Sequence, residues 1–453
     1  MVQLLCAASE VALYVVLAFA CVHLVRLALW ARAAPVQEAP RATSPTSVTV
    51  QLPLRNEPLM AEALLRSVAQ LRGDALDLQV LDDSDDETSA ILERVVAELR
   101  TADHDIALLR RSDRRGYKAG NLAHGLRHAR GEYILVLDAD FRPGPDLALQ
   151  LAHVLDQNPT LAFAQARWTF RNTSTTLTRL QASILDALFC VEQAALSAAR
   201  APVQFNGSAG MWRRSAIDRA GGWDTSEASL TEDLELSYRA HEAGLRGTTL
   251  PSLAVSTELP AAMSAFRTQQ ARWVRGAALT VRTLGTRAMK SASARDALAM
   301  AAHLARHARQ PLFVAAILRL PLVALGCCTP VTPAWLGPVV IGAAIVSATL
   351  YLAAGARRAG RHVRPLEGLR LALLSVGLAP SLAIAFMGGL AGRRGAGFVR
   401  TQKGHDQRSS IHVPTAVLCG LSCLALAGFV RAHDLVGIAA ALLCAVGTAW
   451  VAF

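Results

Sequence analysis

Asp138 and Asp140 stand one residue apart, directly after the apolar run Tyr133–Leu137 and ahead of Phe141-Arg142-Pro143. An apolar run this short, closed by a proline-containing turn, reads as a buried strand. Its two carboxylates then fall at the C-terminal edge of a sheet, where open α/β sheets hold their ligands. Two anionic oxygen donors so close call for a positive guest, and Mg²⁺ or Mn²⁺ carrying a nucleotide diphosphate is the usual one. The competing reading is a solvated acidic turn, and D-x-D alone does not decide between them.

Further groups repeat the placement. Pro53-Leu54-Arg55-Asn56-Glu57-Pro58 ends one candidate strand, and Asp82-Asp83-Ser84 ends another. Lys118, in Gly116-Tyr117-Lys118-Ala119-Gly120-Asn121, opens a candidate helix on the same side. A cation there could meet phosphate together with the helix N-terminus, although a solvated lysine is the bland alternative. Carboxylates at three strand ends are too many for unrelated turns.

These positions need a scaffold. Ser47–Leu52, Leu76–Leu81, Ile106–Leu109 and Tyr133–Leu137 read as strands, with helices expected over Pro58–Leu71, Glu87–Leu99 and Lys118–Ala129. Such alternation predicts a largely parallel sheet with right-handed crossovers over residues 47–280. The chain has 453 residues, 52% of them hydrophobic, which is too apolar for an ordinary soluble enzyme. An apolar segment within residues 1–32 is long enough to span a membrane and lacks the basic start and cleavage site of a signal peptide. Arg26, Arg32 and Arg41 follow it, placing the N-terminus outside and the next domain in the cytoplasm. Residues 33–46 read as a linker. Residues 281–310 mix apolar residues with arginines, as an interfacial amphipathic helix would.

Within 311–453, Pro311–Cys328, Trp335–Ala354, Leu369–Leu390, Val413–Val430 and Leu435–Phe453 are candidate spans, giving about six in all. The basic segments Arg357–Arg370 and Arg393–Arg408 both ask to be cytoplasmic, so Leu369–Leu390, with Pro380 and Gly388-Gly389, is expected to be broken, re-entrant or interfacial. The net charge of +11 sits largely beside apolar runs. That pattern fits a membrane face and not nucleic acid. The eight cysteines show no zinc or disulfide spacing.

Taken in order, P-x-x-N-E, L-D-D-S, R-x-G-Y-K-A-G, D-A-D-F, F-N-G-S-A-G, T-E-D and Q-Q-x-R-W, from Gln51 to Trp273, resemble the inverting family-2 glycosyltransferases. Specifically, the sequence is similar to the membrane-embedded cellulose-synthase-like and mannan-synthase-like enzymes. Phe398-Val399-Arg400-Thr401-Gln402-Lys403-Gly404, within 393–410, resembles their F-x-V-T-x-K-G gating loop, with Arg400 in place of valine. The resemblance implies an α/β GT-A-like domain in a multi-pass membrane protein, located in a bacterial inner membrane. It implies that Glu57, Asp82, Asp83, Lys118 and Asp138 hold the nucleotide sugar, that Asp140 binds Mg²⁺ or Mn²⁺, and that Asp233 is the catalytic base. Gln269, Gln270, Arg272 and Trp273 would frame acceptor and pyrophosphate, with Trp168, Asn206 and Gly207 shaping the acceptor side. Phe398, Thr401 and Lys403 would belong to the gating loop.

The implied reaction moves a hexose from GDP-mannose or UDP-glucose to a growing polysaccharide, or in one step to a lipid. Other chemistries fit less well. A haloacid-dehalogenase-type phosphatase also starts from D-x-D, but Phe141 occupies the position where Thr or Val is expected. A transporter is disfavoured by the lack of an internal repeat.

Overall fold

The computed structural model describes residues 1–34, 47–73, 75–102, 104–223, 231–291, 293–364, 366–392 and 412–452. Alternating apolar runs and helical periodicity give a doubly wound start: β1 (Val48–Leu54), α2 (Ala61–Val68), β2 (Leu76–Asp82), α3 (Thr88–Thr101), β3 (Ile106–Arg110), α4 (Tyr117–His128) and β4 (Tyr133–Val136), all after the N-terminal helix α1 (Val2–Ala33). The chain continues through α5 (Leu147–Asp156), β5 (Leu161–Phe170), α6 (Thr176–Ala187), a π-helical turn (Leu188–Gln193), α7 (Ala194–Ala198), β6 (Gly210–Arg213), α8 (Arg214–Arg219), α9 (Glu232–Glu242) and β7 (Arg246–Thr257).

The seven strands form one sheet ordered β3-β2-β1-β4-β6-β5-β7. β1, β2, β3 and β4 run parallel, while β6 pairs antiparallel with both β4 and β5. The fold is GT-A-like, a mixed sheet with helices on both faces. Tyr133 to Leu137 are fully buried, as a central strand between two helical layers requires. One core layer holds Val50, Leu52, Leu64 and Leu135; the other holds Leu122, Ile134, Val136 and Trp212.

The third unit is helical. α10 (Met263–Ser291), α11 (Ala294–Ala305), a short 3₁₀ turn (Arg306–Ala308), α12 (Arg309–Ala324), α13 (Leu336–Arg358), α14 (Glu367–Leu390), α15 (Val413–Arg431) and α16 (Leu435–Ala452) complete the chain. Among the described residues, five helices, α1, α13, α14, α15 and α16, are long and apolar enough to cross a membrane. The candidate span Pro311–Cys328 corresponds to the shorter α12. Residue 280, where the composition changes, lies inside α10, which runs on from the sheet-bearing unit against the apolar helices.

Leu369–Leu390 is not broken: α14 is continuous through Pro380, and 56% of its most apolar stretch is buried inside the protein. Neighbouring helices can supply what a proline removes from a membrane helix. Small residues allow the close approach. A Cβ on Gly377 would sit 2.1 Å from the Gly447 carbonyl oxygen of α16, and one on Gly389 would sit 2.7 Å from the Arg275 carbonyl oxygen of α10. The gating-loop residues Phe398, Thr401 and Lys403 lie outside the described residues.

Candidate active site

The C-terminal ends of β1, β2 and β4 open onto one cleft enclosing about 1430 Å³ of empty space, part of it open to solvent. Glu57, Asp83, Lys118, Asp138, Asp140, Trp168, Asn206, Gly207, Asp233, Gln269, Arg272 and Trp273 all line it. Residues separated by more than 200 positions therefore converge, as the strand-end reading expects.

Lys118 is central. Left-handed Gly116 (φ 71°) and Tyr117 (φ 48°) turn the chain into α4 and bring the lysine into the cleft. Its Nζ lies 2.6 Å from Oδ1 of Asp138 and 3.6 Å from Oε1 of Glu232, and it donates to the Gly207 carbonyl at 2.9 Å. Burial alone would lower its pKa. The Asp138 and Glu232 carboxylates, with Asp233, outweigh burial and hold the ammonium above its ordinary range.

Asp233 stands at the start of α9, where its Oδ1 accepts from the Leu234 N–H at 2.8 Å. Burial and then the adjacent Glu232 carboxylate push its pKa up to about 7, against the opposing pull of Lys118. A carboxyl group poised near neutrality in a cleft is what general-base chemistry requires. Gly207 makes room for it. A Cβ there would lie 2.8 Å from Asp233 Oδ2, and its φ of +84° favours glycine.

Gln269, Arg272 and Trp273 line the cleft from one face of α10, at the i, i+3 and i+4 positions that share a helix side. Gln270 falls on the neighbouring face and is not part of the lining. Burial pulls the Arg272 guanidinium down from its usual range, while Glu232, Asp138 and Asp233 oppose the shift.

Asp82 also stays outside. Its carboxylate accepts from Ser84 N at 2.9 Å, Ser89 Oγ at 2.8 Å and Arg110 Nε at 2.9 Å. Burial alone would raise its pKa, but those bonds outweigh burial and hold it below the usual range. Asp82 thus braces the end of β2, while Asp83 lines the cleft under a two-pronged grip from Arg111 Nε (2.8 Å) and Nη2 (2.5 Å). Asn56, in the same motif as Glu57, ties the two loops together by donating from Nδ2 to Asp85 at 2.6 Å and accepting from Asp85 N at 3.0 Å.

The sequence reading missed Glu232, Thr257 and Glu258. Thr257 Oγ1 donates to Asp140, and the Glu258 N–H approaches the same oxygen at 3.5 Å. Both residues follow from β7, a strand with no simple alternating pattern. Glu232 was visible inside T-E-D but had no separate signal. Among the described residues, no group of three or more His, Cys, Asp or Glu could cage a metal. Asp138 and Asp140 nevertheless supply hard oxygen donors on one wall. That donor set suits a magnesium-like ion bound through one or two carboxylates and completed by water and phosphate. The Thr257 hydroxyl donates to the Asp140 carboxylate and holds its orientation.

Residues 133–356 match the family model described as Glycosyl transferase family group 2. The chain is 40% identical over 246 residues to a probable glucomannan 4-beta-mannosyltransferase 15 of Arabidopsis thaliana, covering 52% of this chain and 45% of that one. It is also 40% identical over 240 residues to glucomannan 4-beta-mannosyltransferase 1 of Oryza sativa subsp. japonica, covering 51% and 45%. The chain thus spans about half the length of the curated relatives it matches. Among solved structures it aligns with a mannosyltransferase from Pyrobaculum calidifontis in complex with GDP-Man and Mn²⁺, at 20% identity and TM-score 0.48 over 99% of both chains. The resemblance first read from the motifs holds.

Proposed function

We propose, from the family-group-2 glycosyltransferase match over residues 133–356, that this chain is a membrane-embedded inverting hexosyltransferase. It would build a β-linked glycan from a nucleotide sugar, with its cleft facing the cytoplasm of a bacterial cell. The observation that carries the reading is Asp233. It is a buried carboxyl group, pushed up to about 7 by burial, in the same cleft as the D-x-D pair, with Lys118 paired to Asp138 and acting on Asp233. The names of the relatives favour mannose over glucose as the sugar, and so GDP-mannose over UDP-glucose as the donor.

In the proposed step, an acceptor hydroxyl attacks the anomeric carbon in line with the departing nucleotide diphosphate. The new C–O bond forms as the C–O bond to phosphate breaks. Asp233 takes the hydroxyl proton, a contribution worth ~10²–10⁴-fold. Lys118 and Arg272 meet the negative charge that gathers on the diphosphate. Trp273 and Trp168 offer flat faces to sugar rings. Glu57 and Asp83 are placed for the nucleoside. A divalent ion at Asp138 and Asp140, when bound, supplies Lewis-acid stabilisation of the leaving group. α10 carries the cleft wall onto α14 of the membrane unit, so the acceptor meets the protein at the base of the apolar helices.

The test is incubation of the detergent-purified chain with a panel of GDP- and UDP-sugars and Mn²⁺ or Mg²⁺, followed by product sizing. Polymer from GDP-mannose is expected. A single sugar on lipid would move the reading to a glycolipid synthase. No glycoside from any donor would sink it.

A further inference from the structure

The π-helical turn Leu188–Gln193 touches the cleft wall on one side and the membrane helices on the other. Phe189 packs 5.2 Å from the ring of cleft-lining Trp168, which stands 5.3 Å from Phe141 beside the D-x-D pair. Gln193 and Asn206 exchange amide hydrogen bonds at 3.1 and 3.3 Å, and Thr249 Oγ1 fixes Gln193 Oε1 at 3.0 Å. Two cleft residues are thus held from behind by one turn. π-turns are rare and gather at functional sites.

The opposite side of the turn belongs to the membrane unit. Glu192 forms an ion pair with Arg306 and accepts from the Tyr351 hydroxyl at 3.3 Å. His303 lies 2.9 Å from the same guanidinium. One helical turn beyond Tyr351, Gly355 of α13 abuts the start of the π-turn, where a Cβ would lie 2.4 Å from Ala187 Cα. Further on, Arg361 pairs with Asp186 at 2.6 Å. One side of α13 and the loop after it therefore grip the turn at both ends. The Glu192 side chain is only 15% exposed. An ion pair so placed adds little net stability but penalises any other geometry.

We propose that Glu192 is a positioning residue for the acceptor. Clamped by Arg306 and Tyr351, it locks the π-turn to the membrane helices. It thereby sets Trp168 and Asn206 at a fixed height relative to the point where a glycan would leave the cleft. The inference rests on the glycosyltransferase reading and adds the element that aligns the acceptor.

The experiment uses the full chain in detergent with Glu192→Gln, with Tyr351→Phe as a milder variant, and with the charge swap Glu192→Arg/Arg306→Glu. In Glu192→Gln the acceptor KM should rise about tenfold, since small misplacements of a reactant are costly. Donor Kd and kcat should stay within about twofold. Amide hydrogen exchange across 188–193 should accelerate. Tyr351→Phe should move KM and exchange the same way by less, and the charge swap should recover part of KM. The proposal is overturned if Glu192→Gln leaves exchange and acceptor KM unchanged. It is equally overturned if donor binding and kcat fall as the acceptor KM rises, which marks a general fold defect. A wild-type protein that transfers no sugar would sink the glycosyltransferase reading instead, and the exchange measurement would still decide whether Glu192 locks the turn.

Discussion

Lys118 Nζ and Asp138 Oδ1 lie 2.6 Å apart, so the cation that opens α4 and the first carboxylate of D-x-D form one unit. The same ammonium lowers the pKa of Asp233 and reaches Glu232. Removing it leaves three acidic groups facing one another in a half-closed cleft. Lys118→Met should therefore lower transfer by about 10²–10³-fold, the range for losing one preorganised charge-stabilising donor. It should also weaken nucleotide-sugar binding. Initial rates and calorimetric donor titration check both.

The pH dependence follows from Asp233. With Asp233 as the proposed base, which must be unprotonated to act, transfer should rise with pH through an acid limb centred at about 7. Glu232→Gln removes a neighbour that raises this pKa and should move the limb to lower pH. Lys118→Met removes one that lowers it and should move the limb up. A limb unmoved by either change would rule out Asp233 as its source.

Stability has the opposite sign. The folded pKa of about 7 lies above the ordinary 3.8. Between those values the folded protein keeps a proton that the unfolded chain has released, so stability falls as pH rises through that window. Asp233→Asn should abolish transfer while donor still binds. It should also raise the melting temperature more at pH 8 than at pH 4, because the buried charge is gone. Thermal scans of both proteins at the two pH values test this.

The ends of β1, β2 and β4 were legible because a short apolar run closed by carboxylates can bury its side chains and leave its acids wet as a strand that stops at a sheet edge; these strands and β3 fall within two residues of expectation. The roles of Asp82 and Asp83 were not separable, since adjacent strand residues point to opposite faces and only packing says which face is the cleft. Gln270 escaped for the equivalent reason on a helix. α14 misled because proline and paired glycines mean a break in water, whereas between membrane helices they permit close contact. Thr257 and Glu192 had no local signature, as each is bound to a partner more than 100 residues away.

Metal dependence is testable at Thr257. Chelation should stop transfer, with Mn²⁺ or Mg²⁺ restoring it. Thr257→Val leaves Asp140 without the hydroxyl that orients it and should weaken metal binding by about 10–100-fold. Mn²⁺ titration in the presence of GDP, followed by magnetic resonance, reads this without turnover. An unchanged Mn²⁺ affinity would show that the Thr257 hydroxyl does not orient a metal-binding carboxylate.

Gly207 gives the sharpest steric test. Its φ of +84° is strained for any side chain, and a Cβ would lie 2.8 Å from Asp233 Oδ2 and 3.6 Å from Lys118 Nζ. Gly207→Ala should cost about 1–3 kcal/mol of stability from the backbone alone. The methyl group must also displace the Asp233 carboxylate, and misplacing a reacting group by about 1 Å can cost ~10²-fold in rate. The two effects separate experimentally. A chemical-denaturation midpoint reports the strain, and kcat at saturating donor reports the displaced base. Gly210→Ala offers the contrast. Its Cβ would meet the Phe205 ring at 2.5 Å, away from the charged cluster. It should lower the midpoint while leaving the acid limb of the pH profile where it was. Gly207→Ala, by pressing on Asp233, should both lower kcat and shift that limb.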